Sequence, residues 1–109
     1  MKERHIKKGQ LLVNKGDTGN KIFLVQEGLL RSYSIDDKGK EHIFMFAPKG
    51  WVVADYNHFE APSQLFIDAI EDSVVIQVDK KETNDHDVQK LIRRIQVLQN
   101  RVIMLMSAT

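Results

Sequence analysis

Apolar and polar positions along this chain follow two patterns, one after the other. From Gln10 to Val78, short runs rich in β-branched and aromatic residues are broken by Gly, Asp, Asn and Pro, which is the pattern of antiparallel strands joined by turns. The first run is "QLLVN", closed by "KGDTGN", where Gly16 and Gly19 suit a turn needing positive φ. "KIFLVQEGLLRSYSID" reads as two strands with Gly28 between them, "DDKG" at Asp36 to Gly39 as a hairpin turn, and "EHIFMFA" as the returning strand. "LFIDAI" and "SVVIQV" follow, separated by the turn-like "EDS". That is roughly seven or eight short strands with no helical period, which predicts a mainly β domain, a small antiparallel roll, barrel or sandwich rather than a parallel α/β sheet.

The pattern changes at "KKETNDHD". Asn84 or Asp85 can accept the first free helix amides as an N-cap, and Asp87 in the first turn complements the helix dipole. Beyond them Val88, Leu91, Ile95, Leu98, Val102 and Leu105 recur at spacings of 3, 4, 3, 4 and 3, the a/d seam of a coiled coil. An amphipathic helix lying on its own β-core shows similar spacing. Two features favour a partner helix. Ile92, Ile103 and Met106 form a second apolar set beside the seam, and 22 residues from Val88 to Thr109 extend ~33 Å, long for a small roll to cover. The expectation is a β-roll over residues 1–84 and a helix over residues 85–109 that pairs two copies in parallel.

Composition narrows the function classes. With 109 residues there is room for one domain, and 16 Lys plus Arg against 15 Asp plus Glu gives a net charge of +1, too little basic excess for a nucleic-acid surface. There is no cysteine, hence no disulfide, thiolate chemistry or Cys-ligated metal. No apolar run approaches the ~20 residues that cross a bilayer, and nothing follows the charged N-terminus as a signal-peptide core would. The expectation is a soluble, cytoplasmic chain without membrane contact.

The ordered set of Gly9, Gly16, "KIFLVQEGLLR" with Gly28, "DDKGKE", "EDSVV" and a long apolar helix resembles the sensory domain of Crp/Fnr-type transcription regulators. The resemblance covers nearly the whole chain. It implies an eight-stranded antiparallel β-roll of the cyclic-nucleotide-binding type (a double-stranded jelly roll), a dimerisation helix, and then a winged helix-turn-helix that reads DNA. Most of the family's N-terminal helical segment is missing here, and the chain stops at "MLMSAT", about where the hinge to the DNA-binding domain would begin. DNA contact is therefore expected only through a domain missing from this chain.

In nucleotide-binding members of the family, a Gly-Glu pair and a later Arg-Ser/Thr-Ala triplet form a phosphate cassette. Helix amides meet the cyclic phosphate, the Glu takes the ribose hydroxyl and the Arg neutralises the phosphate. Counting back from "AIEDSVVIQV" puts Ala54 and Asp55 at the Gly-Glu positions and Ser63, Gln64 and Leu65 at the triplet, behind Pro62. Ser63 stands where the resemblance calls for arginine, and the stretch from Gly50 to Ala69 holds no lysine or arginine at all. Losing the charged partner of a buried anion costs about 2–5 kcal/mol, ~30-fold to several thousandfold in affinity. The cassette is thus expected to be degenerate and not to hold cyclic AMP in the usual way. Two readings stay open. Trp51, Tyr56, Phe59, Leu65 and Phe66 fill the old pocket as core, or a different small-molecule effector, of unknown identity, is held there with Asn57, His58, Ser63 and Gln64 as polar handles.

The rival readings are a standalone cyclic-nucleotide or small-molecule binding module and a cupin-like metal enzyme. A cupin needs a His-x-His pair; His42 is followed by "IFMF", and Val53 stands where the second cupin motif needs a ligand. His5, His42, His58 and His86 lack the spacing of a metal site, and no catalytic triad, paired acids or phosphate loop appears. No catalysis and no cofactor are expected. Lys90, Arg93, Arg94 and Arg101, with Gln89, Gln96, Gln99 and Asn100 between them, read as the solvated flank of the helix seam.

Overall fold

The computed structural model describes residues 2–17, 21–54, 62–79 and 86–107, and within its helix the side chains at 86, 90, 93–102, 104 and 105. Eight strands precede one helix: β1 (Lys2–Ile6), β2 (Leu11–Val13), β3 (Lys21–Glu27), β4 (Leu29–Ile35), β5 (Glu41–Pro48), β6 (Val52–Ala54), β7 (Phe66–Ala69), β8 (Ser73–Asp79) and α1 (His86–Ser107). All pairings are antiparallel and form two four-stranded sheets, β1-β8-β3-β6 and β2-β7-β4-β5. The mainly β roll followed by a helix is as the sequence pattern predicts.

Alternation decides which side chains meet between the sheets. Phe23 and Val25 of β3, Val53 of β6, Val75 of β8 and Ile6 of β1 pack against Leu30, Ala47, Ile67 and Ala69 of the second sheet as one buried cluster. The first sheet is apolar on its other face as well. Ile22, Val52, Ala54 and Val78 form a second cluster there, joined by Leu24, Ile76 and, from α1, Ile95. A strand buried on both faces cannot alternate, and β6 is the case in point, with all three residues of "VVA" buried.

Two elements were not visible in the pattern. β1 is "KERHI", charged or polar at four of its five positions, and only Ile6 is buried. It is a strand because its backbone pairs along the edge of β8, from Lys2 opposite Gln77 to Ile6 opposite Ser73. The run-and-turn pattern starts only at Gln10, because an edge strand facing water carries no apolar alternation. β6 escaped for the opposite reason, since a continuous apolar run gives no period to read.

Gly28 joins β3 to β4 at φ +92°, and a Cβ there would sit against the Ser73 hydroxyl and 2.6 Å from the Asp72 carbonyl oxygen. Glycine is needed both for the positive φ and for the close approach. The Ser73 hydroxyl accepts from the Leu29 N–H at 3.1 Å and donates to the Glu71 carbonyl at 2.8 Å, holding the β3–β4 corner against the β7–β8 turn.

Candidate effector-sensing site and helix interface

β6 carries the chain to Ala54, and the return toward β7 begins at Pro62. Asp55, Asn57 and His58, and with them Tyr56 and Phe59, lie outside the described residues. Ala54 is buried in the cluster beneath α1 with Ile22, Val52 and Val78. Of the triplet, Ser63 is buried, Leu65 half-buried and Gln64 exposed.

Ser63 anchors the returning chain through both its backbone and its hydroxyl. Its N–H donates to the Asp17 carbonyl at 2.8 Å, and its own carbonyl accepts from Gly16 N–H at 2.8 Å. The loop it meets is itself closed, with Asp17 N–H donating to the Asn14 carbonyl and the Asp17 carboxylate accepting from Asn14 N–H. The hydroxyl donates to the Leu65 carbonyl at 2.8 Å and accepts from the Leu65 N–H at 3.2 Å. One lone pair is left over. At 6% exposure this is a turn-forming serine inside the roll.

Arg31 is held elsewhere by two carboxylates. Its guanidinium grips Asp68 of β7 with two bonds, Nε–Oδ1 at 2.8 Å and a second at 3.1 Å, and gives a third to Glu41 of β5 at 2.9 Å. It also lies 4.1 Å over the Tyr33 ring, which stacks on Phe66 at 5.3 Å. Hydrogen bonding to Asp68, the largest influence, holds the guanidinium well above its ordinary pKa against the opposing effect of burial, with Glu41 adding to the rise. Burial, and after it the charge of Asp68, raises the Tyr33 phenol. The cluster pins three strands together on the outer face of the second sheet. Phe66, a candidate pocket-filler in the sequence, belongs to it, while Trp51 packs against the inter-sheet core. No cluster of three or more metal-ligating side chains occurs among the described residues.

α1 meets the roll at β6. Ile95 packs on the second cluster, and four residues on, Gln99 lies at 5% exposure. Its amide oxygen accepts from Val52 N–H at 2.9 Å and its amide nitrogen donates to the Val52 carbonyl at 2.9 Å, with Met45 Sδ 3.8 Å away. β6 is the edge of its sheet, so the N–H and carbonyl of Val52 point where a further strand would pair, and the Gln99 amide takes that strand's place. The sequence reading placed Gln99 on a solvated flank. Burial with both amide groups paired corrects that, and the only sequence trace is its position one turn after Ile95.

Of the six seam positions, the side chains of Val88 and Leu91 are outside those described, and Ile95 turns to the roll. Leu98 (60% exposed), Val102 (42%) and Leu105 (69%) remain open, with Val97 and Met104 also exposed. Gly50 and Trp51 form one wall of a groove of about 140 Å³ whose other wall is Ile95, Leu98, Gln99 and Val102. No helix among the described residues is long and apolar enough to cross a membrane.

Residues 3–86 match the model of the cyclic nucleotide-binding domain. The chain belongs to that family. The anaerobic regulatory protein of Haemophilus influenzae is 28% identical over 111 residues, covering 98% of this chain and 40% of the relative. Among solved structures, the catabolite activator protein of Thermus thermophilus superposes with a TM-score of 0.69 at 19% identity, over 98% of this chain and 48% of that one. The c-di-GMP-responsive global regulator CLP of Xanthomonas campestris superposes with a TM-score of 0.79 at 11% identity, over 94% of this chain and 54% of that one. Within the family, this is an N-terminal sensory domain of the Crp/Fnr type, and it spans about 40% of the length of that anaerobic relative.

Proposed function

We propose that this domain is the effector-sensing and dimerisation part of a cytoplasmic Crp/Fnr-type transcription regulator, non-enzymatic, with a cassette that no longer holds a cyclic nucleotide in the usual way. Ser63 carries this reading. It occupies the position at which the family's phosphate-binding arginine is expected, buried, with its hydroxyl committed to Leu65. Arg31 offers no substitute, because two carboxylates already hold its guanidinium. The degenerate cassette comprises Ala54, Asp55, Asn57, His58, Ser63, Gln64 and Leu65. A homodimer forms through the helix, for which Leu98, Val102 and Leu105 are the seam side chains left exposed on the single chain, and DNA is bound by a C-terminal domain outside these residues.

Isothermal titration with cyclic AMP and cyclic GMP tests the cassette. The expected result is no binding tighter than roughly the high-micromolar range, the level left when several kcal/mol are removed from a micromolar site. Tight binding by the unmodified chain overturns the reading and makes the domain an ordinary nucleotide module. Ser63→Arg alone is expected not to restore tight binding, because it breaks the turn at Leu65 and leaves Ala54 and Asp55 unchanged.

A further inference from the structure

Gln99 buries an amide at a point of the helix where an apolar residue would be the ordinary choice. Its neighbour Leu98 is a better candidate for burial by transfer energy alone, yet Leu98 is 60% exposed and Gln99 5%. Adjacent helix positions lie about 100° apart around the axis, so turning α1 by that amount would bring Leu98 onto β6 in place of Gln99. The turn would bury Leu98, but it would also carry Ile95 off the second cluster and bring Arg94 toward it. It would also leave the Val52 N–H and carbonyl facing a hydrocarbon side chain, with neither group bonded. Only a side chain with one donor and one acceptor side by side satisfies both, and Gln99 is that residue.

We propose that Gln99 is a positioning residue: its paired bonds to Val52 fix the rotation of α1 on the roll and thereby keep Leu98, Val102 and Leu105 turned out for a second copy of this chain. The proposal rests on the helix-dimer reading above. Its logic is that of a single buried polar residue that sets register at some expense of burial. It also explains why the helix closes an edge strand with a side chain.

The chain has no cysteine, so single cysteines report helix facing without background. Leu98→Cys and Leu105→Cys present the expected partner face, whereas Val97→Cys and Met104→Cys present the face one position away. In otherwise unaltered chains, oxidation is expected to give disulfide-linked dimers at 98 and 105 in preference to 97 and 104. In a Gln99→Leu background that preference should fall by about thirtyfold, the factor that two neutral hydrogen bonds at their net worth supply. Ile95→Ala separates the apolar contact from the hydrogen bonds: the preference is expected to survive the loss of stability, and a fall as large as that in Gln99→Leu overturns the proposal.

Gln99→Glu supplies a rescue. Ionised, the carboxylate only accepts and faces the Val52 carbonyl without a donor; protonated, it offers one donor and one acceptor as the amide does. Val52 and Met45, which the amide contacts, and Gly50, Trp51, Ile95, Leu98 and Val102, which line the groove with it, carry no titratable group. The facing preference in this variant should therefore return as pH falls through the carboxylate range, while that of the parent stays flat. An unchanged preference in Gln99→Leu overturns the proposal with the dimer reading intact. Absence of cross-linking at 98 and 105 in the parent overturns the dimer reading and the proposal with it.

Discussion

The two sheets of the roll are covered differently. The first is apolar on both faces: one side meets the other sheet, and the other side carries Ile22, Val52, Ala54 and Val78 beneath Ile95 of α1. Its β6 edge is closed by Gln99. The second sheet buries its inner face against the first and, on its outer face, Tyr33. Its outer face is held by the Arg31, Asp68, Glu41, Tyr33 and Phe66 cluster and leaves Ile43, Phe44 and Phe46 exposed. Apolar burial places the helix, and ionic and aromatic contacts hold the opposite wall without one. The same residue type thus carries very different weight on the two sides.

Truncating Phe23 should have the largest effect. It is fully buried where both sheets meet, and Phe23→Ala is expected to cost about 3–5 kcal/mol in chemical denaturation. A cost under about 1 kcal/mol would mean that the inter-sheet core is not the common support of both sides. Arg31→Leu should come next, at about 1.5–3 kcal/mol, because it removes bonds to charged partners and leaves Asp68 half-buried without them. Double-mutant analysis with Asp68→Asn isolates the pair, and additive effects would show that the outer wall does not depend on it. Phe46→Ala, on the exposed outer face, should stay within about 0.5 kcal/mol. A loss as large as that of Phe23→Ala would mean that this face is covered in solution.

The smallest expected effect is in the β4–β5 hairpin. Asp36 accepts from Lys38 and Lys40 N–H and pairs with His42 at 2.9 Å. Hydrogen bonding to His42, the largest influence, and to those amides lowers its carboxyl below the ordinary value. A depressed folded-state value contributes stability that is present above the unfolded carboxyl range and is lost as pH falls through the depressed one. Replacing His42 with Gln should move the Asp36 titration, followed by carboxyl carbon chemical shifts, upward toward the ordinary value. An unmoved titration would show that the amides alone hold the hairpin carboxylate.

Much of this was legible beforehand, and the gaps have physical causes. β2, β3, β4, β5, β7 and β8 show in the run-and-turn pattern because each is a run of apolar, β-branched or aromatic residues bounded by turn residues such as Gly28 and Asp36. β1 is hidden because its strand character comes from backbone pairing along an edge, and β6 because double-sided burial erases alternation. The helix was legible from its seam, but the seam does not separate the face toward the roll from the face toward a partner. Ile95 goes to the roll, while Leu98 and Leu105 do not. Gln99 decides that division through two hydrogen bonds to a backbone some 47 positions earlier, which no local pattern encodes. Of the cassette, Ser63 was identified by alignment, and its turn with Leu65 needed the structure.

The central claim is that α1 gives one face to its own roll and keeps another for a second copy. Sedimentation equilibrium tests it most directly. At protein concentrations on the order of tens of micromolar the chain is predicted to sediment as a dimer, and a variant carrying both Leu98→Asp and Val102→Asp as a folded monomer, because charges at that interface lack partners. A parent chain that sediments as a monomer at the same concentrations, or a double variant that remains dimeric, would contradict the account.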